Sequence, residues 1–203
     1  MPRAKKAQKE KPRYHHGNLR AALLEAALEL VDEVGAAALS LREVARRASV
    51  SHAAPAHHFG DKAGLLTALA VEGFARFTAA QRQAAERGGD NPLTRFSWLG
   101  WAYVTWAAEN RAYFEVMFHP ELLRRDDPAL QEAGHTAHAV LLDAIRGTLG
   151  DPSEEALLML STVAWAQAHG IARLWLDGNL TTFAGLSDLD ALARQIFQLP
   201  PKE

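Results

Sequence analysis

The stretch SLREVARRASVSHAAPAHHFGDK, residues 40–62, decides how the rest of the chain is read. Ser40 followed three residues later by Glu43 is a capping box, so a helix starts at Leu41. It runs only about two turns before Ser49-Val50-Ser51 interrupts it. Ser51 can cap a second short helix reaching about Phe59, with Gly60 ending it. Pro55 forfeits its backbone hydrogen bond to Ser51. That is tolerable only close to a helix start, because a mid-helix proline costs about 3 kcal/mol. Asp61 then caps a long third helix carrying Leu65, Leu66, Leu69, Phe74 and Phe77.

Working outward, Leu19, Leu23, Ala26, Ala27, Leu30, Val31 and Val34 make one face of an upstream helix. Asn18 suits its start and Gly35 its end. Downstream, Gly88-Gly89 closes the long helix and Asn91-Pro92 opens another, through Phe96, Trp98, Trp101, Tyr103 and Trp106. RAYFEVMF is a shorter segment, closed by His119-Pro120. Asp127-Pro128 opens a helix to about Thr148, Asp151-Pro152 opens one to about Leu176, and Ser187 caps the last, SDLDALARQIFQL. The expectation is an all-α chain of about nine helices and no strand, with no internal repeat.

Composition fits a globular chain: of 203 residues, 48% are apolar and 23% charged. The absence of cysteine removes disulfides, thiolate chemistry and cysteine-ligated zinc. The basic, polar N-terminus has no apolar run behind it, so it does not read as a secretory signal. The most apolar stretch, 156–172, falls short of the ~20 residues of a bilayer span and reads as a buried helix. A cytoplasmic protein without membrane partners is expected. The net charge of −2 hides an asymmetry. Residues 1–62 hold eleven Lys/Arg against seven Asp/Glu, whereas the remainder holds eleven against seventeen. A basic third on an acidic body points either to a polyanion at one end or to a solvated tail.

Two short helices joined by a tight turn and backed by the helix at 19–34 form a helix-turn-helix. Such a helix can enter the DNA major groove, about 12 Å wide. Helix starts at Ser40 and Asp61 present backbone N–H groups to phosphate, and Lys62 adds a charge there.

Residues 15–69 resemble the N-terminal DNA-binding domain of TetR-family (tetracycline-repressor-like) transcriptional regulators. The matching pieces are YHHGNLRAALLEAALELV, ALSLREVARRASVSHAAP and HFGDKAGLLTAL, in order and at family spacing. Further on, YFEVMFHPEL and WAQAHGIARLWLDG resemble the subgroup with a Trp–His–Gly signature in its C-terminal domain. The resemblance implies a basic disordered arm at 1–14, a DNA-binding domain at 15–62, and a ligand-binding and dimerisation domain at 63–203. It makes SHAAPAHHF the recognition helix, with Ser51 as its cap and His52, Ala53 and Ala54 facing the bases. It gives phosphate contacts to Ser40, Arg42 and Lys62 and places His58 at the edge of the backbone contacts, with His57 a further DNA-binding candidate. Ala56 departs from the family, which usually has a tyrosine there that reaches a phosphate.

The function so implied is a sequence-specific regulator rather than an enzyme. It would be a homodimeric repressor bound to a palindromic double-stranded DNA operator and released by a small, largely apolar effector, with helices 152–176 and 187–199 as the dimer face. Candidate pocket residues are Trp101, Phe114, Phe118, His138, Trp165 and His169; His169 reads equally as a satisfied core histidine. The competing reading is an all-α metal-binding protein or enzyme. Glu132, His135 and His138, at i, i+3 and i+6, can share a helix face and suit a first-row metal. Against it, no His-Glu-x-x-His motif, glycine-rich phosphate loop or nucleophile elbow is present, and no cofactor is expected.

Overall fold

The computed structural model describes residues 16–201, and the basic arm at 1–14 lies outside them. Those residues form ten α-helices and no strand. The first three are α1 (His16–Val34), α2 (Leu41–Arg47) and α3 (Ala54–Phe59). Then come α4 (Lys62–Glu86), α5 (Pro92–Glu109) and α6 (Arg111–Met117). A 3-10 turn at Pro120–Leu122 leads to α7 (Pro128–Leu149), α8 (Glu154–Leu176), α9 (Asn179–Ala184) and α10 (Leu189–Ile196). The helix absent from the sequence reading is α9, a six-residue turn bounded by Gly178 and Gly185, both at positive φ. Its apolar residues lack the two-turn periodicity that marks a helix in sequence.

Several expected caps hold their places. The Ser40 side chain accepts from the Glu43 N–H, Asp61 from Gly64, and Asn91 from Leu93 and Thr94. Glu43 does not close the capping box, because its carboxylate pairs with Arg46 instead. Four others move. Asn18 lies within α1 rather than before it. Ser153, not Asp151, caps α8, and Asp188, not Ser187, caps α10. Ser51 is not the cap of α3: its carbonyl closes a turn with the Ala54 N–H, and α3 starts from Ala53 without a side-chain cap. In each case an equally good capping residue, or an extra turn, stood within two positions, and sequence periodicity does not resolve that register.

Among the described residues a main apolar core joins the N-terminal helices to the rest, and a smaller cluster of Ala84, Trp98, Ala102 and Leu199 stands beside it. Leu23, Leu30 and Val31 of α1, Val44 of α2, Phe59 of α3 and Leu65, Leu66 and Leu69 of α4 are continuous with Tyr103, Phe114, Val116 and Ala172. The three N-terminal helices therefore do not close on themselves. α4 is long and apolar enough to cross a bilayer, yet it is the central helix, packed against α1, α5, α6 and α7. At about 1.5 Å per residue, its 25 residues span about 37 Å.

Candidate DNA-binding face and ligand cavity

A six-residue helix such as α3 cannot stand alone in water. Pro55 and Phe59, both buried, hold it to the scaffold, and Arg20 of α1 lies over the Phe59 ring at 5.3 Å. Burying a phenylalanine contributes about 1.5–3 kcal/mol, which offsets the weak intrinsic helix. α2 is fixed to α1 by Arg47, which grips both oxygens of Glu33 at 2.7 and 2.6 Å and reaches Glu29. Its guanidinium holds the Glu33 carboxyl below the usual range. Ser49 takes positive φ, 56°, where α2 gives way to the turn.

With Pro55 and Phe59 inward, His52, Ala53, Ala56 and His57 are exposed on the outer side, and Ala54 and His58 are half-buried at the edges. Ser40 and Ser51 are exposed beside them, as is Arg42. Arg46 and Arg47 are committed to glutamates of the same face, whereas Arg42 forms no ion pair among the described residues. Lys62 donates to the Ala37 carbonyl, which ties the start of α4 to the loop between α1 and α2. The face is thus an uncapped short helix, nearly featureless at its centre, with histidines at either end.

About 22 Å along α4 from Lys62, Phe77 belongs to the wall of a cavity of about 760 Å³. Phe74 and Gln81 also come from α4; Tyr103 comes from α5, Met117 and Phe118 from the end of α6, Ala137 and His138 from α7, and Trp165 and His169 from α8. Of the sequence candidates, Phe118, His138, Trp165 and His169 are brought together there. Two are not. Phe114 is fully buried behind the wall, stacked on the His169 ring at 5.2 Å. Trp101 faces α10, where its indole N–H donates to Asp190 at 2.7 Å beside Arg87 and Arg194. It stands two positions before Tyr103 on α5, and roughly 200° of helical rotation carries it off the cavity side.

The polar groups of the wall form a chain. The Trp165 indole N–H donates to the Tyr103 oxygen at 3.1 Å, and the same oxygen shares a hydrogen bond of 2.9 Å with His169 Nδ1. Burial lowers the His169 pKa, and Arg173 pushes it the same way. Burial also raises the Tyr103 phenol. Sequence reasoning missed Phe74, Phe77, Gln81 and Tyr103 as cavity residues. A signal was present: Phe74, Phe77 and Gln81 at i, i+3 and i+7 put a lone amide on an apolar helix face.

The metal candidates do not assemble: among the described residues no group of three or more His, Cys, Asp or Glu side chains is gathered. Glu132 and His135 lie on α7 away from any such group, while His138 faces the Trp165 ring at 6.3 Å.

A loop joins the two regions. Phe118 and Pro120 line the cavity, and a few residues on, the Arg124 backbone N–H donates to the buried Thr67 hydroxyl at 2.9 Å. The Arg124 guanidinium reaches Asp61, the cap of α4, at 3.0 Å. The Gly64 N–H and then Arg124 hold the Asp61 carboxyl below its usual range.

Residues 96–198 match the profile of the tetracyclin repressor-like C-terminal domain, and residues 23–69 that of the bacterial regulatory proteins of the tetR family. The chain belongs to the TetR family. It is a DNA-binding transcriptional regulator of that family. A solved structure of a protein of unknown function from Rhodococcus sp. RHA1 is 34% identical, covers 93% of this chain and 96% of its own, and superposes with a TM-score of 0.77. The TetR-family regulator PfmR from Thermus thermophilus shares the fold at 20% identity and a TM-score of 0.64, with 87% and 94% covered. The HTH-type transcriptional regulator BetI of Paraburkholderia phytofirmans is 40% identical over 70 residues, 33% of this chain and 36% of that protein. The chain thus matches little more than a third of the length of such curated relatives.

Proposed function

We propose that this protein is a homodimeric repressor that binds a palindromic operator and is released when a small molecule enters the cavity. Ser40, Arg42 and Lys62 would meet phosphates, and Ser51, His52, Ala53, Ala54, His57 and His58 would enter or border the major groove. The observation that carries this reading is α4: one unbroken helix bears Lys62 beside the recognition helix and Phe74, Phe77 and Gln81 in the cavity wall. A ligand that spreads the cavity and prefers the resulting conformation shifts the helix and lowers operator affinity, by coupling of about 1–3 kcal/mol in typical cases. The Arg124–Asp61 contact supplies a second route from the Phe118 side of the cavity to the same helix end.

The dimer face would be α8. Leu158, Met159, Val163 and Leu174 are exposed on it. Among the described residues nothing lies within 4 Å of where a Gly170 Cβ would stand, so its small size is free to serve close packing by a second helix. α10, expected to share this face, instead packs on α5, where Phe197 lies against Gly100. Two copies would present recognition helices about 34–36 Å apart, one turn of DNA. A cytoplasmic protein acting on the chromosome is consistent with these features.

The test is sedimentation of the protein with a labelled operator duplex. Two chains per duplex, and dissociation on adding a compound that binds the cavity, are expected. Equal operator affinity with and without every compound shown to occupy the cavity would refute release.

A further inference from the structure

The cavity wall also specifies what kind of molecule it takes. This step rests on the reading of the cavity as the ligand site. Among the described residues no aspartate, glutamate, lysine or arginine lines it; its polar side chains are Gln81, Tyr103, Thr162, Gln167, two histidines and the indole of Trp165. His169 and Tyr103 are already hydrogen-bonded to each other, Trp165 donates to the same phenol, and burial disfavours the charged imidazole. An ionised ligand would enter without a counter-charge and lose its hydration, which disfavours it strongly.

Gln81 adds the specific contact. It is 5% exposed, and its Oε1 is buried without a hydrogen-bond partner, alone among the described residues in this respect. The other buried polar side chains, Thr67, Thr78 and Ser161, are all paired. A buried, unpaired amide oxygen costs free energy, and one in a ligand cavity wall is a group awaiting a partner. Gln81 itself lines the cavity, and its terminal torsion is soft, so a small turn suffices for a donor at the wall to reach the oxygen. The phenyl rings of Phe74 and Phe77 lie on the same α4 face, so a donor held there would sit at the edge of an aromatic slot.

We infer that the ligand is an uncharged, mostly apolar molecule carrying a hydroxyl or N–H group, and that Gln81 Oε1 accepts its hydrogen bond.

Three probes with one skeleton test this by fluorescence titration of the full chain without DNA. They are N-phenylnaphthylamine, which is neutral with one N–H; its N-methyl derivative, which lacks the donor; and anilinonaphthalene sulfonate, which is charged. The neutral N–H probe is expected to bind one per chain, at least about tenfold more tightly than the sulfonate. It should also exceed the N-methyl probe by about five- to tenfold, the worth of one buried hydrogen bond. In Gln81→Leu, and in Gln81→Met as a second replacement of similar length, the advantage of the N–H probe should vanish. Sulfonate binding as tight as the neutral probe overturns the uncharged class. An N–H advantage that survives both substitutions overturns the role of Gln81. Failure of every probe to bind the folded protein overturns the ligand site itself. The predicted ranking without any release of operator DNA upholds the ligand class and refutes only the release mechanism.

Discussion

Gly64, in the first turn of the long helix, lies against the last turn of the recognition helix. A Cβ built there would lie 2.0 Å from the Phe59 carbonyl oxygen and 3.1 Å from the Arg124 guanidinium. Arg124 is flexible and can yield; the carbonyl belongs to the last turn of α3 and can move only with the helix. Ordinary contact begins near 3.4 Å, so Gly64→Ala pushes that carbonyl back by about 1.4 Å or opens the first turn of α4. Overpacking against backbone this close lies at the upper end of the usual range, about 2–3 kcal/mol, and replacing a helical glycine by alanine returns about 1 kcal/mol. The net loss is about 1–2 kcal/mol, a fall in Tm of about 2–8 °C for a chain of this size. The effect on DNA should be larger than the effect on stability. A displaced recognition helix loses at least one base or phosphate contact per half-site, and each good base contact contributes about 1–3 kcal/mol, so operator affinity should fall at least about tenfold. The assay is fluorescence anisotropy on an operator duplex beside a thermal melt, with Gly134→Ala as control. A Cβ at Gly134 meets nothing within 4 Å, so that change should raise Tm slightly. Gly64→Ala with unchanged Tm and operator affinity within twofold of wild type would refute the packing argument.

Other perturbations have equally definite outcomes. Tyr103→Phe removes both hydrogen bonds of the phenol, to Trp165 and His169, and should lower stability by about 1–3 kcal/mol in chemical denaturation; no change would mean that the chain from indole to imidazole carries nothing. Because burial sets the folded pKa of His169 below its unfolded value of about 6.5, the unfolded chain binds more protons in that window. The contribution of this group to stability is therefore complete above about pH 6.5 and is lost as pH falls from there through the lower folded value. His169→Gln should flatten the corresponding part of the pH–stability curve, and a curve of unchanged slope would contradict the assignment. Ala56 is exposed where the family usually places a phosphate-contacting tyrosine. Ala56→Tyr should strengthen operator binding about two- to tenfold, the range of one hydrogen bond, as read by anisotropy at fixed salt.

The DNA-binding half was legible in the sequence because its signals are local. Ser40, Asp61 and Gly60 mark helix ends by their own chemistry, and the spacing of Leu23, Leu30 and Val31 shows which side of α1 is buried. The cavity was legible only in part. His169 and Trp165 stood out as polar or bulky residues in an apolar helix, but which aromatic residues face a void depends on how α5 is rotated against α8. That rotation is set by tertiary packing, so Phe114 fell behind the wall and Trp101 turned to α10. The same holds for Arg124. In sequence it is one of a loop pair, Arg124-Arg125 before two aspartates. In the fold it is the contact between the cavity loop and the cap of α4. Long-range pairings of this kind leave no periodic trace.

The most direct measurement is titration of the full-length protein against the DNA upstream of its own coding region, at several salt concentrations and against nonspecific competitor. The account predicts saturable binding to a short palindrome, with competitor DNA at least about 10³-fold weaker, and loss of that preference when His52 and His57 are both replaced by alanine. Binding that follows salt alone, with no sequence preference on this or any genomic fragment, would contradict it.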